Sequence, residues 1–191
     1  YILGFIVAIL STYAHAQVES RDLKSFNSIS VSSGIQVNYQ LANQYSATVK
    51  ADNEKLLQHI KTEIKGNTLY MYVKNGDRSL HFKAIKIDVY GPADLRQLSI
   101  SSGANLYIEP SISSANITAN ISAAGSLKAK LKAENIHINA SSSGNFKGEI
   151  ISSSLGVNCS STAKINATGS AKEANINASS ASKIEMQQLH Q

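Results

Sequence analysis

Few side chains in this sequence could perform acid–base chemistry together. A β-helical polysaccharide lyase or hydrolase uses a pair of carboxylates, or carboxylates that bind Ca²⁺. The carboxylates that could form such a cluster here are Asp77, Asp88 and Glu109. The glutamates of the second half do not share a position when the chain is aligned on its own repeat: Glu134, Glu149, Glu173 and Glu185. A polysaccharide-active enzyme is therefore the alternative function, and a protein without catalysis is the leading one.

Nucleophilic catalysis or metal binding would need histidines or thiols at suitable spacings. A catalytic triad joins a nucleophile to a histidine and a carboxylate, and zinc sites use Cys and His at short spacings. Instead, His59, His81, His137 and His190 are scattered along the chain, and Cys159 is its single cysteine. We expect no catalytic residue, no metal and no cofactor.

Three lysines at strand-like spacing form one local concentration of positive charge: Lys128, Lys130 and Lys132. The net charge of the chain is +5, so these lysines are a candidate basic patch for an acidic polymer. The alternative is structural, because outward lysines commonly protect strand edges from aggregation. Aromatic residues that could stack on bases are missing from the neighbouring sequence, so we expect no nucleic-acid binding.

The second half of the chain repeats every 19 residues. One column of equivalent positions is asparagine in every copy: Asn120, Asn139, Asn158 and Asn177. A serine column follows it: Ser122, Ser141, Ser160 and Ser179. Two apolar columns flank these positions: Ala119, Ile138, Val157 and Ile176, then Leu127, Phe146, Ile165 and Ile184. The Asn and Ser columns are candidate surface ladders, although stacked amides can also bond to one another along a column.

Each copy of the repeat contains two short stretches of alternating apolar and polar residues, separated by small residues. Ser, Asn, Gly and β-branched residues disfavour a helix. The period therefore predicts an all-β fold, a right-handed parallel β-solenoid (β-helix) in which equivalent residues stack ~4.8 Å apart. Ordering one coil costs roughly 1–2 kcal/mol per residue, more than its few buried side chains return, so coils must stack. Cys159 falls in an inward column, and we expect a buried thiol.

The first half is less regular. It contains strand patterns over residues 26–32, 35–41, 46–51, 69–73 and 84–90, a helical turn over 53–60 and a turn over 74–80. Gly34 and Gly103 suit corners that need a positive φ. About two extra residues stand around Pro110. We predict wider, irregular coils over residues 17–95, continuous with a regular solenoid over 96–191, and the alternative for the first part is a separate small β-domain.

Several motifs occur in an order that resembles a known family. They are Phe26-x-x-Ile29-x-Val31-Ser-Ser-Gly34-Ile35-Gln36-Val37, Asn53-x-x-Leu56, Gly66-x-x-Leu69-x-Met71, Ile85-x-Ile87-x-Val89-x-x-Pro92-x-x-Leu95 and Ile100-Ser-Ser-Gly103. Over roughly residues 24–186 the chain is similar to the head GIN domain family of auto-transporter adhesins, common in exported proteins of Bacteroidetes-type bacteria. The resemblance implies a β-helical fold, an extracytoplasmic location and an adhesin-like role, and it supplies no catalytic residues. Gln36 departs from the third letter of the name-giving motif.

The beginning of the sequence predicts export. Residues 1–10 form an apolar run too short to span a bilayer as a stable helix. Ala14-x-Ala16 fits a signal peptidase, so we assign residues 1–16 to a signal peptide whose charged n-region is missing. A second apolar stretch is not present, so we expect no stable membrane insertion of the mature chain. The expected location is the periplasm, the outer surface or the medium.

These observations favour a binding or structural module over an enzyme. Its Ser, Asn and Lys ladders would contact glycans or envelope polymers. The terminal coil of a solenoid leaves a strand edge that can self-associate, so we also expect that the chain can form an end-to-end homodimer.

Overall fold

The computed structural model describes residues 17–52, 54–74 and 85–190, with side chains as far as residue 187. The predicted signal peptide, Asp77 and His81 lie outside these residues. The described chain forms strands and one short helix: β1 (Gln17–Asp22), β2 (Ser28–Val31), β3 (Gln36–Leu41), β4 (Ser46–Ala51), α1 (Glu54–His59), β5 (Ile60–Lys65), β6 (Thr68–Val73), β7 (Lys86–Gly91), β8 (Gln97–Ile100), β9 (Asn105–Ile121), β10 (Ser126–Ala140), β11 (Asn145–Cys159), β12 (Lys164–Ala178) and β13 (Lys183–His190).

The 19-residue period is the register of a parallel β-solenoid, as predicted. Asn139 is the partner of Asn120 on one side and of Asn158 on the other, and Leu127 is the partner of Phe146. Strands β9 to β13 pair in parallel, one coil to the next. Each repeat therefore adds one coil to the stack.

Each coil has two sides because the alternation changes phase once within the long strand. In β10, Leu127 and Leu131 point inward at odd positions, whereas Ile136 and Ile138 point inward at even positions. The first part of each long strand builds one sheet and the second part builds the other. Side chains from both sheets fill the space between them and form the core.

A tight turn closes each coil at the small-residue corner. Ala123 and Ala124 have φ values of 46° and 59°, and the Gly125 amide donates to the Ser122 carbonyl oxygen at 2.8 Å. Positive φ at both central residues defines a type I′ turn. The same pair of left-handed residues recurs at each regular corner: Ser142 and Ser143, Ser161 and Thr162, Ser180 and Ala181. Gly34 and Gly103 adopt positive φ at the two earlier corners, as predicted.

The first coils are not stacked in chain order. β2 lies between β6 and β8, and β3 lies between β7 and β9, all in parallel. The coil made by β2 and β3 is therefore inserted between the coil made by β6 and β7 and the coil that begins with β8. β3 pairs with the first part of β9 and β8 with its second part, so these strands continue the two sides of the regular repeats.

Antiparallel strands and the helix cover the N-terminal end of the stack. β4 pairs with β7 and β1 pairs with β4, while β5 pairs with β6. Arg21 of β1 donates hydrogen bonds to the carbonyl oxygens of Leu57 and Ile60, at 3.3 and 2.9 Å. Arg21 also forms an ion pair with Glu19 at 2.9 Å, which lowers the pKa of the glutamate.

The opposite end of the stack is open along one edge. β13 pairs with β12 only as far as Ser170, so within the described chain no strand covers the 172–178 segment of β12. Ile138 and Val157 are buried as expected, but Ile176, the next residue of this column, is 43% exposed. The prediction that Ile176 is buried is wrong, because an inward residue of the last coil has no coil beyond it. Cys159, one coil earlier, is buried as predicted.

Candidate binding surfaces

The first sheet presents a long polar outer face. Nine of the described strands contribute to it, in the order β1-β4-β7-β3-β9-β10-β11-β12-β13. One straight column across this face contains, in neighbouring strands, Asp88, Asn38, Tyr107, Lys128, Lys147, Asn166 and Glu185. Neighbours in such a column lie about 4.8 Å apart at the backbone. The face therefore presents regularly spaced polar groups to a ligand that lies along the stack.

The three lysines of the predicted basic patch have different neighbours. Lys128 lies beside Lys147 of the next coil, in the same column. Lys130 forms an ion pair with Glu149 at 3.4 Å. Lys132 lies at the end of this face, beside Ser113 and Ile151, next to the second corner of the coil. Binding of a polymer by these lysines stays a prediction.

The predicted Asn ladder forms on the outer side of the second sheet. The Nδ2 atom of Asn139 donates to Oδ1 of Asn120 at 2.9 Å, and Asn158 and Asn177 continue the series at 3.0 and 3.1 Å. Asn135 and Asn116 form a parallel pair at 2.9 Å. Each of these bonds uses one amide N–H and one oxygen lone pair of the ladder. The ladder therefore stabilises the stack, and whether it also binds a ligand stays a prediction.

The predicted Ser ladder lies where each coil enters its tight turn. The Ser141 carbonyl oxygen accepts from Gly144, and the Ser141 amide donates to Ile121 of the previous coil. Ser122, Ser141 and Ser160 are partly buried, and Ser179 is exposed on the last coil. The backbone groups of these serines form the hydrogen bonds of the turn. Their hydroxyl groups lie at the edge of the second sheet.

A bulge in β9 interrupts the first sheet. Tyr107 is the partner of Lys128, but Ser111 is the partner of Lys130, so β9 has two more residues than β10 across this interval. The extra residues predicted around Pro110 are therefore present, and they form a trough of about 690 Å³ with Gln40, Leu41 and Lys130. β-Bulges recur beside binding sites because they redirect side chains and open the sheet.

A second groove of about 610 Å³ follows the second corner of the coils. Its lining includes Lys132, Ile151 and Ser152, and Ile151 is 41% exposed. The Ser152 Oγ atom is buried without a hydrogen-bond partner among the described residues. The groove is shallow, and its walls are mostly serine, alanine and lysine.

The carboxylates proposed for catalysis are separated. Asp88 is paired in register with Asn38, and Glu109 with Gln40, so they are two strands and two residues apart, about 12 Å at the backbone. A glycosidase carboxylate pair lies roughly 5–9.5 Å apart. Burial raises the pKa of Asp88, but hydrogen bonds from Lys50 at 2.7 Å and Asn38 at 2.8 Å outweigh it and lower the pKa. Asp88 is thus a structural anion.

The histidines of the described chain are separated as well. His59 ends α1, and His137 is exposed on β10 with its ring against Gly156. Among the described residues no group of three His, Cys, Asp or Glu side chains is placed to hold a metal ion. In the same part of the chain, no helix is long and apolar enough to cross a membrane.

Sequence reasoning missed two members of the polar face. Lys147 is 19 residues from Lys128, so the repeat itself predicted that the two lysines are neighbours. Tyr107 is 21 residues from Lys128, and the bulge brings it into the same column. Its side chain is 36% exposed. An aromatic residue that is distant in the sequence therefore lies next to Lys128 in the folded chain.

The architecture is that of a two-sided parallel β-solenoid with polar outer faces. Residues 25–191 match the model of the family described as "Putative auto-transporter adhesin, head GIN domain", and the chain belongs to this family. None of the curated proteins compared with the chain is significantly similar to it.

Solved structures share the fold at low sequence identity. A "putative adhesin" from Bacteroides fragilis is 15% identical, with a TM-score of 0.64 over 92% of this chain and 98% of the other. A "putative adhesin" from Parabacteroides merdae is 14% identical, with a TM-score of 0.57 over 90% and 96%. A "putative lipid binding protein" from Parabacteroides distasonis is 16% identical, with a TM-score of 0.56 over 89% and 96%. At these identities the comparisons show a common fold.

Proposed function

We propose that this protein is an exported, adhesin-like binding module that contacts glycans or envelope polymers through the outer face of its first sheet. Membership in a family described as auto-transporter adhesins supports a surface role. The periplasm, the outer surface and the medium are the locations that this role requires. Export itself rests on the signal-peptide pattern of residues 1–16.

The observation that carries the proposal is the regular polar surface of the nine-strand sheet. Successive strands place Tyr107, Lys128, Lys147 and Asn166 side by side in one column. A repetitive polymer presents its own groups at regular intervals, so a straight column of donors can contact several units at once. Several weak contacts made together give a useful affinity.

The enzyme alternative receives no support from the described carboxylates. Asp88 is engaged by Lys50 and Asn38, and Glu109 lies in another column on the bulge. Neither carboxylate faces the other across a cleft. We therefore propose binding without cleavage as the activity of this surface.

A glycan array and a pull-down with isolated envelope polymers test this function directly. The chain from residue 17 onward should bind a subset of glycans or polymers. The polymers recovered after incubation should keep their original length. A control chain with Lys128, Lys147 and Asn166 changed to Glu should lose this binding while it keeps its far-UV circular dichroism spectrum. Absence of binding to every glycan and polymer, or cleavage of one of them, would contradict the proposal.

A further inference from the structure

Two lysines that carry no counter-charge lie side by side on the first sheet. Lys128 and Lys147 are register partners in β10 and β11, and both side chains are exposed. Among the described residues no carboxylate lies within ion-pair distance of either. Like charges directly opposite one another destabilise a sheet. An anion placed between the two ammonium groups would relieve this repulsion.

Two acidic residues on the neighbouring strands are engaged by other cations, whereas Glu109 of β9 is in no ion pair among the described residues. Glu149 pairs with Lys130 at 3.4 Å, and Glu185 pairs with Lys183 at 2.5 Å. Glu185 also accepts a hydrogen bond from Asn166 at 3.3 Å. The positive charge of Lys128 and Lys147 is therefore directed to the solvent. Lys164 extends this charge to β12, at a diagonal position on the same face.

The lysines line a cleft of about 380 Å³. Asn166 and Thr168 contribute hydrogen-bonding groups to its wall, and Ala129 and Gly148 line it with small residues. A Cβ atom on Gly148 would lie 1.8 Å from the carbonyl oxygen of Ala129, so the two strands approach closely only because this residue is glycine. The volume lies within the usual range of small-ligand sites, roughly 300–1,000 Å³.

An aromatic residue lies next to Lys128 on the neighbouring strand β9. Tyr107 precedes Lys128 in the column and is 36% exposed. A tyrosine ring offers a rigid apolar face together with a polar hydroxyl group, and the C–H face of a sugar ring packs well on it. The trough at the bulge shares Glu109 and Lys130 with the cleft and continues it toward Gln40. We call the cleft and the trough together the groove.

We propose that this groove binds an acidic polysaccharide, with Lys128 and Lys147 on an anionic group of one sugar and Tyr107 beneath a neighbouring ring. The inference rests on the proposed function and names its ligand class and its site. The anionic group is a carboxylate or a sulfate, because two lysine point charges attract either one. The net charge of +5 assists the approach of such a polymer.

Calorimetric titration with defined probes tests the site. The probes are an oligogalacturonide for the carboxylate, a heparin oligosaccharide for the sulfate, a neutral dextran oligosaccharide and single-stranded DNA. The unchanged chain should bind one or both acidic sugars and neither dextran nor DNA. The double variant Lys128→Gln, Lys147→Gln should lose roughly tenfold or more in affinity, because each lost charged hydrogen bond is worth about that much.

Two further variants separate this site from general charge attraction. The control is the double variant Lys55→Gln, Lys172→Gln. It removes as much net charge as the Lys128→Gln, Lys147→Gln variant, but from α1 and from the open edge of β12. This pair should change the affinity less than about twofold. Tyr107→Ser should weaken binding without changing the net charge. Equal losses in both double variants, or equal binding of DNA, would overturn the proposal in favour of general polyanion attraction.

A ligand-free readout tests the repulsion on which the argument rests. Lys147→Gln should raise the melting temperature of the free protein by about 1–3 °C, because it removes one of two opposed like charges. The same substitution at Lys172 should leave the melting temperature unchanged. A lower melting temperature in Lys147→Gln would show that the two lysines are not in conflict, and would contradict the proposal.

The outcomes distinguish this inference from the broader function. If neither acidic probe binds but the glycan array gives a neutral ligand, the acidic site is wrong and the binding module stands. If the array, the envelope polymers and both acidic probes all give no binding, the proposed function falls as well.

Discussion

Among the residues that the structure describes, ten other than glycine adopt positive φ, and all of them lie at the corners of the solenoid. A left-handed conformation costs a residue with a Cβ atom roughly 1–2 kcal/mol. At each regular corner except the last one described, the second turn residue donates its amide to the carbonyl oxygen of the first turn residue of the next coil, as Ala124 does to Ser142 at 3.0 Å. The stack of hydrogen bonds holds the strained turn in place.

The strain at the corners predicts a stabilising substitution. Ala124→Gly should raise the free energy of unfolding by about 0.5–1 kcal/mol, because glycine adopts positive φ without steric cost but loses more chain entropy. Urea unfolding followed by circular dichroism measures the change. The matched control is Ala174→Gly, at an exposed and extended position of β12, which should lower the stability. Destabilisation by Ala124→Gly would contradict the turn geometry.

Asp88 makes stability depend on pH. Lys50 and Asn38 hold the pKa of Asp88 below its usual value, 3.8, in the folded protein. The stabilisation is therefore fully present above the pKa of the unfolded chain and is lost as the pH falls through the lower folded pKa. Asp88→Asn should lower the melting temperature at pH 7 by up to about 2 °C, because exposed ion pairs are weak.

The difference between the two proteins should shrink as the pH falls below about 4 and Asp88 becomes protonated. Differential scanning calorimetry at several pH values follows it. A difference that stayed constant down to pH 2 would show that the carboxylate charge is not the cause.

The sequence predicted where the corners of the coils lie better than it predicted their backbone conformations. Gly34 and Gly103 adopt the positive φ expected of them. Gly125 and Gly144 instead occupy the last position of their turns, after the two residues with positive φ. The left-handed positions of the regular corners are occupied by Ala, Ser and Thr. Residue preferences do not favour that arrangement, and the hydrogen bonds between coils that impose it depend on the complete stack.

At the scale of the elements, one column shows how stability depends on neighbouring coils. Ile138 and Val157 are buried with coils on both sides, whereas Ile176 in the last coil is 43% exposed. The same side-chain type thus occurs at the centre and at the end of one column. This gives a matched pair of substitutions.

Ile138→Ala should lower the free energy of unfolding by about 2–5 kcal/mol, because it leaves a cavity between packed coils. Ile176→Ala should cost less than about 1 kcal/mol, since solvent already reaches this side chain. Equilibrium unfolding in guanidinium chloride measures both. Equal costs at the two positions would contradict the open end of the stack.

Elements with alternating apolar residues were predicted well, and the exceptions have clear causes. Strand β1 was missed because its edge position leaves most of its residues exposed, so the sequence carries no apolar alternation. Strand β5 pairs only with β6, and it lies directly after α1 without an intervening turn signal. The insertion of the β2–β3 coil between two later coils is a long-range arrangement, and no local pattern encodes it.

At the scale of the whole molecule, the two ends of the solenoid differ. The N-terminal end is covered by β1, β4, β5 and α1, whereas the 172–178 edge is not covered by any described strand. A free strand edge carries unpaired backbone groups that can pair with another chain. Two copies can pair symmetrically through one such edge, since the same segment then serves both subunits.

The end-to-end homodimer stays a prediction with a specific test. Ile176→Lys should shift sedimentation equilibrium toward the monomer, because it places a charge on the exposed apolar edge. Val18→Lys is the matched control, as Val18 is 58% exposed at the opposite end and should leave the equilibrium unchanged. A monomer at every concentration, or an equal effect of the control, would contradict pairing through this edge.

Most residues of the candidate site could be identified from the sequence, but the sequence did not group them into one site. The 19-residue period makes Lys147 a neighbour of Lys128 and Glu149 a neighbour of Lys130. Spacing along one strand had instead grouped Lys128 with Lys132, which lies at the far end of the same face and lines the groove at the second corner. The sequence alone did not show that Tyr107 lies beside Lys128. That position depends on how β9 pairs with β10 on either side of the bulge, which is seen only in the folded structure.

The most direct test of the account is a titration of the isotope-labelled protein with an acidic oligosaccharide, followed by amide chemical shifts. We expect shifts concentrated at four residues of the first sheet, Tyr107, Lys128, Lys147 and Asn166. Amides around Asn139 on the second sheet should not move. Shifts confined to the second sheet, or no shifts at saturating ligand, would contradict the assignment of the first sheet as the binding face.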